Sequence, residues 1–254
     1  MDNFFHEFRY ILHLEDYDSG VFFYREVLGL QPNYNWAIIP DNKGYRFYLG
    51  TGKLEIVKYP FTPSTGKGEF WVECGNLDLC LKRIKKEMKN AQILSQTTLQ
   101  AEIQDLNGNK IRLVQSYKDA NTSPTIEKTN MFTGMFTGIL YEDDLQEACD
   151  FYTKGLRIPL LQQDENEAIL QVGDSHLLLK KRKSKEGPSS IGIEAKSVNI
   201  MYDYLKNQNY YHEICMLHDT DFDARRLFQF YDPGKNVVEV YAYLRNIREE
   251  ILMH

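Results

Sequence analysis

Long apolar segments and secretion signals are missing from this sequence. No stretch approaches the roughly 20 apolar residues that a membrane-spanning helix needs. The first residues, MDNFFHEF, have neither the basic start nor the apolar core of a signal peptide. Cysteine is scarce as well, since the four cysteines include no CxxC pair, which argues against a disulfide framework and favours reduced, mostly buried thiols. These absences predict a cytoplasmic protein without a membrane partner.

The common catalytic and nucleotide-binding signatures are also absent. The sequence contains no GxSxG, GxGxxG, phosphate-loop or HExxH pattern, which argues against the usual serine hydrolases, nucleotide-binding enzymes and zinc proteases. There is no excess of basic residues, because the net charge is -6, and this argues against a nucleic-acid partner. The one basic run, 180–185, is interpreted as a solvated loop, with a phosphate-bearing partner as the alternative.

An internal repeat is the main feature that the sequence does contain. The segment 11–30, ILHLEDYDSGVFFYREVLGL, is echoed by 139–158, ILYEDDLQEACDFYTKGLRI, and matched residues lie 128 positions apart. Tyr24, for example, matches Tyr152. At 254 residues the chain is long enough to bury a sizeable core and to form two domains of about 125 residues each. The repeat therefore predicts two similar domains.

Hydrophobic periodicity divides each half into two modules with the order strand, helix, strand, strand, strand (βαβββ). Residues 9–14 have the period of a half-buried strand, with Tyr10, Leu12 and Leu14 on one face and Arg9, Ile11 and His13 on the other. Asp16–Asp18 can cap the helix that follows, and this helix is predicted to stop at Gly29. The same order restarts at Glu69 and then twice more in the second half. The helices predicted for these modules are 77–88, 145–156 and 198–205.

Two segments outside the modules complete the organisation. The polar segment 117–130 lacks periodicity and is interpreted as a linker between domain 1 (1–116) and domain 2 (131–254). The tail from Leu244 has apolar residues at helical spacing and predicts a C-terminal helix. We expect this helix to pack on its own domain, with a partner interface as the alternative.

The modules and their motifs resemble the vicinal oxygen chelate superfamily, which includes glyoxalase I, extradiol dioxygenases, fosfomycin-modifying enzymes and bleomycin-resistance proteins. The resemblance rests on the fourfold βαβββ series, on Glu-Asp followed by Phe-Tyr and Leu-Gly-Leu, and on the closing segment DPGKNVVEV. It implies an α+β fold of two tandem glyoxalase-like domains, each with two βαβββ modules that form a curved, partly open sheet around a cavity. The sequence leaves open whether modules pair within or between domains, and whether there are one or two cavities.

The resemblance also implies where a metal would bind. Metal-dependent members carry ligands on the first strand, at the start of the second module and on the last strand of a domain. In domain 1 the first and last positions fall on Arg9 and Arg112, which are cations and cannot ligate a metal. In domain 2 they fall on Thr137 and Glu239, of which only Glu239 matches. We therefore expect no cofactor, with a divalent metal (zinc, iron, nickel or manganese) on Glu239 as the alternative.

The arginines suggest a binding site of another kind. If Arg9 and Arg112 converge on one cavity, their guanidinium groups could hold a carboxylate or phosphate bidentately. His13, on the same strand face as Arg9, would add a group that titrates near neutral pH. The alternative is that the arginines pair across the sheet with acids such as Glu55, Glu69 or Glu102. Further ligand-binding candidates are Trp71, Thr137 and Tyr141, and for Trp71 core packing is the alternative.

A second cluster of possible metal ligands is His212, Cys215 and His218. Residues three apart on a regular strand point to opposite faces, so Cys215 is not expected to join both histidines. A metal site is therefore not predicted there.

Two functional classes follow from the resemblance. The first is a protein that binds a small molecule, such as an anionic or aromatic metabolite or drug, in a sheet-lined cavity without the family metal, similar in principle to bleomycin-resistance proteins. The second is a metal-dependent enzyme, either a glyoxalase-type lyase or an extradiol-type dioxygenase that uses Glu239. Because one chain carries four modules, a monomer could suffice, with a homodimer as the alternative.

Overall fold

Two eight-stranded sheets make up the protein. The structure is a computed structural model that describes residues 5–59, 67–89, 92–116, 131–132, 134–183, 186–209, 211–220 and 224–247. The strands are β1 (Phe5–His13), β2 (Pro32–Ile39), β3 (Asn42–Leu49), β4 (Gly52–Lys58), β5 (Glu69–Cys74), β6 (Gln92–Gln96), β7 (Gln100–Gln104), β8 (Lys110–Gln115), β9 (Phe136–Glu142), β10 (Leu160–Gln163), β11 (Glu167–Val172), β12 (Ser175–Lys181), β13 (Ser190–Ala195), β14 (His212–Thr220), β15 (Arg225–Tyr231) and β16 (Val237–Tyr243). The helices are α1 (Tyr17–Phe22), α2 (Leu77–Glu87), α3 (Leu145–Asp150) and α4 (Val198–Leu205).

The predicted fold of four βαβββ modules is confirmed, and the structure adds how the modules pair. The first sheet has the strand order β14-β15-β16-β13-β1-β4-β3-β2, and the second has β10-β11-β12-β9-β5-β8-β7-β6. Antiparallel pairing of β1 with β13 joins the first module to the fourth. Antiparallel pairing of β5 with β9 joins the second module to the third. Each half of the sequence therefore contributes one module to each sheet.

The main core lies between the two sheets. Along β1, Phe8, Tyr10 and Leu12 point into this core, as the alternation of the sequence predicts. The Phe8 ring lies 5.7 Å from Phe136 of β9, and the Tyr10 hydroxyl donates to the Ile139 carbonyl at 3.0 Å. These contacts join strands of different sheets. The opposite sheet faces therefore point away from each other.

A duplicated hydrogen-bond cluster ties the sheets together at the helices. The Tyr24 hydroxyl donates to Asp105 at 2.8 Å, and in the repeat the Tyr152 hydroxyl donates to Asp232 at 2.7 Å. Asp105 precedes β8 and Asp232 precedes β16, so each contact joins the helical segment of one module to the last hairpin of the next. The cluster thus gives the repeated tyrosine a structural role.

The helix ends follow their sequence signals in part. Asp16 caps α1 by accepting from the Ser19 amide at 3.2 Å, as expected. The α-helix was predicted to continue to Leu28, but it ends at Phe22 and a π-helical turn, Phe23–Val27, follows. The helix–turn unit then ends at Gly29, whose φ of 73° suits glycine.

Three features complete the description of the chain. A helical turn is present at residues 244–247, and the rest of the predicted C-terminal helix lies outside the described residues. The predicted linker, 117–130, lies outside them as well. Within the described ranges, no helix has the length and apolar character required to span a membrane.

Candidate functional site

The predicted site residues divide between two separate sheet faces. Arg9, His13 and Glu239 lie on the outward face of the first sheet, on β1 and β16. The remaining candidates lie on the second sheet, and they are Trp71, Arg112, Thr137 and Tyr141. The expectation that Arg9 and Arg112 converge on one cavity is therefore wrong. The two arginines do not converge because the pairing of modules puts β1 and β8 in different sheets.

Arg9 is completely buried between two carboxylates. Its Nη1 lies 2.7 Å from Glu55 Oε2, and its Nη2 contacts Glu239 Oε1. Gly192 is the neighbour of Arg9 across β13 and of Glu239 across β16. A Cβ at position 192 would lie 2.7 Å from Arg9 Nε. The glycine therefore leaves the space that the guanidinium occupies.

Two further arginines extend this pair into a network across the first sheet. Arg46 Nη2 lies 3.2 Å from Glu55, which also accepts from Trp36 Nε1 at 3.0 Å. On the other side, Arg225 Nη1 and Gln229 Nε2 each lie 3.0 Å from Glu239. Each buried carboxylate is thus held by two arginines and one neutral donor. We name the set Arg9, Arg46, Glu55, Arg225 and Glu239 the arginine–glutamate network.

The network keeps both acids ionised. Burial by itself raises the pKa of Glu239, but Arg9 and Arg225 outweigh burial and bring that pKa below its usual value. Arg9 and Arg46 have the same effect on Glu55, whose pKa lies well below the usual range despite burial. The alternative interpretation of Arg9, pairing with an acid such as Glu55, is confirmed.

A cavity of about 440 Å³ lies against the network, and we call it the first cavity. Glu239, Arg225 and Gln229 form its charged and polar side. Most of the remaining wall is apolar or weakly polar and consists of Ile11, His13, Tyr59, Ser190, Ile214, Cys215, His218, Thr220, Leu227 and Val237. The volume falls in the range of small-molecule sites, about 300–1,000 Å³.

His13 is the most distinctive polar group of this wall. Its Nε2 lies 3.0 Å from Ser190 Oγ, whereas its Nδ1 is buried and has no hydrogen-bond partner among the described residues. Burial lowers the pKa of His13 to about 4, although Glu55 and Glu239 act in the opposite direction. The imidazole is therefore neutral at pH 7 and offers one unused nitrogen.

Cys215 and His218 lie on the same face, which corrects the prediction that residues three apart on this strand point to opposite faces. The register of β14 against β15 shifts between these two residues, so a bulge brings both into the first cavity. Cys215 Sγ lies 3.4 Å from His218 Nδ1, and that nitrogen lies 2.9 Å from the Met216 carbonyl. Because a carbonyl only accepts, Nδ1 carries the hydrogen and cannot deprotonate the thiol. Burial also raises the pKa of Cys215, so the pair is not an activated nucleophile.

A divalent metal does not fit the first cavity. Glu239 and Glu55 already accept from guanidinium groups, and a metal at their oxygens would lie next to Arg9 and Arg225. A positive neighbour of this kind disfavours a cation, and a cluster of three or more His, Cys, Asp or Glu ligands is not found among the described residues.

The second sheet presents different chemistry. Arg112 pairs with Glu102 of β7 at 3.5 Å, as the ion-pair alternative expected. Its guanidinium lies 4.4 Å from the centre of the Trp71 ring, and Lys180 Nζ lies 4.8 Å from the same ring. The Tyr141 hydroxyl donates to Glu69 at 2.6 Å.

Trp71 and Thr137 line a second cavity of about 520 Å³, whereas Arg112 and Tyr141 are not part of its wall.

Arg46 and Arg225 of the network were not recognised from the sequence, although a signal for Arg46 was available. The turn at Gly50–Gly52 sets the register of the β3–β4 hairpin, which places Arg46 opposite Glu55. In the last hairpin Gln229 lies opposite Glu239 in the same way. No comparable signal marks Arg225, because its contact with Glu239 is diagonal across β15 and β16.

Comparison with known proteins supports the fold. A glyoxalase I variant from Zea mays has a TM-score of 0.72 with 16% identity, over 98% of this chain and 97% of that chain. Unmodified glyoxalase I from Zea mays has a TM-score of 0.69 with 18% identity, over 98% of this chain and 95% of that one. A dioxygenase candidate from Bacillus subtilis has a TM-score of 0.65 with 14% identity, over 95% and 86% of the two chains. No family model and no curated protein matches the sequence. At these identities the likeness concerns the fold, and on that evidence the chain has the fold of the vicinal oxygen chelate superfamily.

Proposed function

We propose that the protein binds a small, largely apolar molecule in the first cavity and that it does so without a divalent metal. The observation that carries this proposal is the buried Arg9 guanidinium between Glu55 and Glu239. It supplies the positive charge that the two carboxylates require. The carboxylates are therefore satisfied by the protein itself and are not available as metal ligands.

The wall of the first cavity supports an uncharged or weakly polar ligand. Ile11, Ile214 and Leu227 provide apolar surface. The unused Nδ1 of the neutral His13 supplies one hydrogen-bonding position that can fix the orientation of a ligand. The charged side chains of the cavity already pair with one another, so a charged ligand would gain less there than a neutral molecule with one polar group.

The enzymatic alternative has no comparable support. A glyoxalase-type or dioxygenase-type metal on Glu239 would have to displace Arg9 and Arg225, and breaking buried ion pairs of this kind costs roughly 3–5 kcal/mol. Cys215 and His218 do not form an activated nucleophile, for the reasons given above. Sequestration of a ligand without chemistry is therefore the function that we favour for this cavity.

The test is calorimetric titration with 2-naphthol, a neutral aromatic molecule with one hydroxyl group. Ile214 lies half-buried on the edge strand β14, so Ile214→Phe fills the first cavity with little disturbance of the core. We expect this variant to weaken binding by at least about tenfold, which corresponds to 1.4 kcal/mol.

Ile169→Phe is the matched control, because Ile169 is half-buried in the wall of the second cavity. We expect it to leave 2-naphthol binding unchanged. Equal effects of the two variants, or no binding by the wild type, would contradict the proposal.

A further inference from the structure

The second cavity is a separate compartment on the other sheet. Trp71, Thr137 and His176 lie in one row across β5, β9 and β12, because Trp71 pairs with Thr137 and Thr137 pairs with His176. Ile169 and Leu178 contribute apolar surface to the same wall. None of the described residues that line it also lines the first cavity. The two cavities can therefore hold different ligands.

Trp71 contributes an unsatisfied donor. Its Nε1 is buried and has no acceptor among the described residues. An indole nitrogen can only donate, and a buried donor without an acceptor is unfavourable. An incoming acceptor would therefore gain a hydrogen bond here without breaking one within the described part of the protein.

Two cations lie against the same ring. Arg112 Cζ is 4.4 Å and Lys180 Nζ is 4.8 Å from the ring centre. Burial lowers the pKa of Lys180, although Glu69 opposes this effect, so the ammonium group would be stabilised by an added negative charge. Arg112 has Glu102 as its partner, but that ion pair is partly exposed and long, at 3.5 Å. Neither cation lines the second cavity, but both contact the Trp71 ring that does, so positive charge lies beside the unused donor.

We propose that the second cavity binds a small monocarboxylic acid with an apolar body. The carboxylate accepts the Trp71 N–H and is neutralised by Lys180 and Arg112. The apolar body packs against Ile169 and Leu178. Trp71 Nε1 is buried and the two cations lie outside the cavity wall, so the proposed binding requires the long side chains of Arg112 and Lys180 to shift toward the carboxylate. Glu73 lines the same cavity and disfavours a second acidic group.

The two tryptophans make this proposal testable by fluorescence. The sequence contains only Trp36 and Trp71, so Trp36→Phe leaves Trp71 as the sole tryptophan. We expect phenylacetate to produce a saturable change in Trp71 fluorescence. Phenylacetamide, which has the same body without the charge, should bind at least about tenfold more weakly, as expected for loss of a charge-assisted hydrogen bond.

Matched variants in the Trp36→Phe background locate the site. Lys180→Gln should weaken phenylacetate binding by about tenfold, whereas Lys181→Gln, at the exposed neighbouring position, should have no effect. Ile169→Phe should abolish binding, and Ile214→Phe should leave it unchanged. Circular dichroism establishes that each variant is folded.

The absence of a saturable fluorescence change would overturn the proposal. So would equal affinities for phenylacetate and phenylacetamide, or equal effects of Lys180→Gln and Lys181→Gln. Loss of phenylacetate binding in Ile214→Phe but not in Ile169→Phe would place the ligand in the first cavity and would also overturn it. The proposed binding of 2-naphthol is measured separately, so each proposal can fail without the other.

Discussion

Arg9 and Arg112 both stand where the resemblance implies a metal ligand, but their surroundings differ. Arg9 is completely buried between Glu55 and Glu239, whereas 28% of the Arg112 side chain is exposed and its one described acid partner, Glu102, lies at 3.5 Å. Removing one member of a buried pair leaves an uncompensated charge, whereas water and salt screen an exposed pair. The two arginines should therefore differ in their contribution to stability.

We expect Arg9→Leu to lower the free energy of unfolding by roughly 3–5 kcal/mol, because it leaves two buried carboxylates with fewer partners. Arg112→Leu should lower it by no more than about 1 kcal/mol. Urea unfolding of the two variants measures the difference. Equal losses would show that the arginine–glutamate network is not the stabilising feature described here.

His13 should make stability depend on pH in the mildly acidic range. Its pKa is about 4 in the folded state and 6.5 in the unfolded chain, so between these values the unfolded state binds a proton that the folded state does not. Stability should therefore fall as the pH decreases from 6.5 to 4, by roughly 2 kcal/mol after a discount for partial exposure. His13→Gln should remove this part of the pH dependence. An unchanged slope in the variant would contradict the assignment.

At the scale of the elements, the two copies of the tyrosine–aspartate cluster differ by one buried acid. Glu142 at the end of β9 replaces Leu14 of the first copy and lies beside Asp232. Burial and Asp232 raise the pKa of Glu142 well above its usual value, so the folded protein favours the protonated form of this carboxyl. Asn236 Nδ2 donates to it at 3.0 Å.

We expect the stability of Glu142→Gln relative to the wild type, measured as the free energy of unfolding, to be higher at pH 8 than at pH 5. A carboxyl with a raised folded pKa favours the folded state at low pH, and this advantage is lost as the pH rises, because the unfolded chain ionises first. The neutral amide keeps an acceptor for Asn236 and does not ionise. Thermal or urea unfolding of the variant and the wild type at both pH values measures this gain. The prediction is wrong if the free energy of unfolding of the variant, relative to the wild type, is the same at the two pH values or lower at pH 8.

An element could be predicted when residues close to it in the sequence determine it, and could not when pairing with a distant segment does. Alternation in β1, the Asp16 cap and the Gly50–Gly52 turn are local signals, and the structure follows them. The bulge that turns Cys215 and His218 to one face is set by pairing with β15, and no local pattern marks it. The pairing of β1 with β13 is likewise a contact between distant segments. Pairing of Arg9 with an acid such as Glu55 could therefore be anticipated as one possibility, whereas the separation of Arg9 from Arg112 could not.

At the scale of the whole molecule, the pairing of modules accounts for two cavities. One face of each central strand is buried in the core between the sheets. The opposite face of β1 lines the first cavity, and that of β5 lines the second. Four modules suffice for this arrangement. Both sheets are complete within one chain, and neither requires strands from a second copy.

This architecture predicts a monomer in solution. Size-exclusion chromatography with light scattering should give a mass near 29.8 kDa at all concentrations measured. A mass near twice that value would indicate a homodimer, for which the exposed residues Leu160 and Leu161 of the edge strand β10 are the first positions to change.

We propose that Arg9 takes the place of a metal at Glu239. The most direct test is elemental analysis of the protein purified without chelator and then dialysed against zinc, nickel, manganese or iron(II). We expect far less than one metal ion per chain in the wild type, with no change in Glu239→Gln. One equivalent of metal per chain in the wild type, lost in Glu239→Gln, would contradict it.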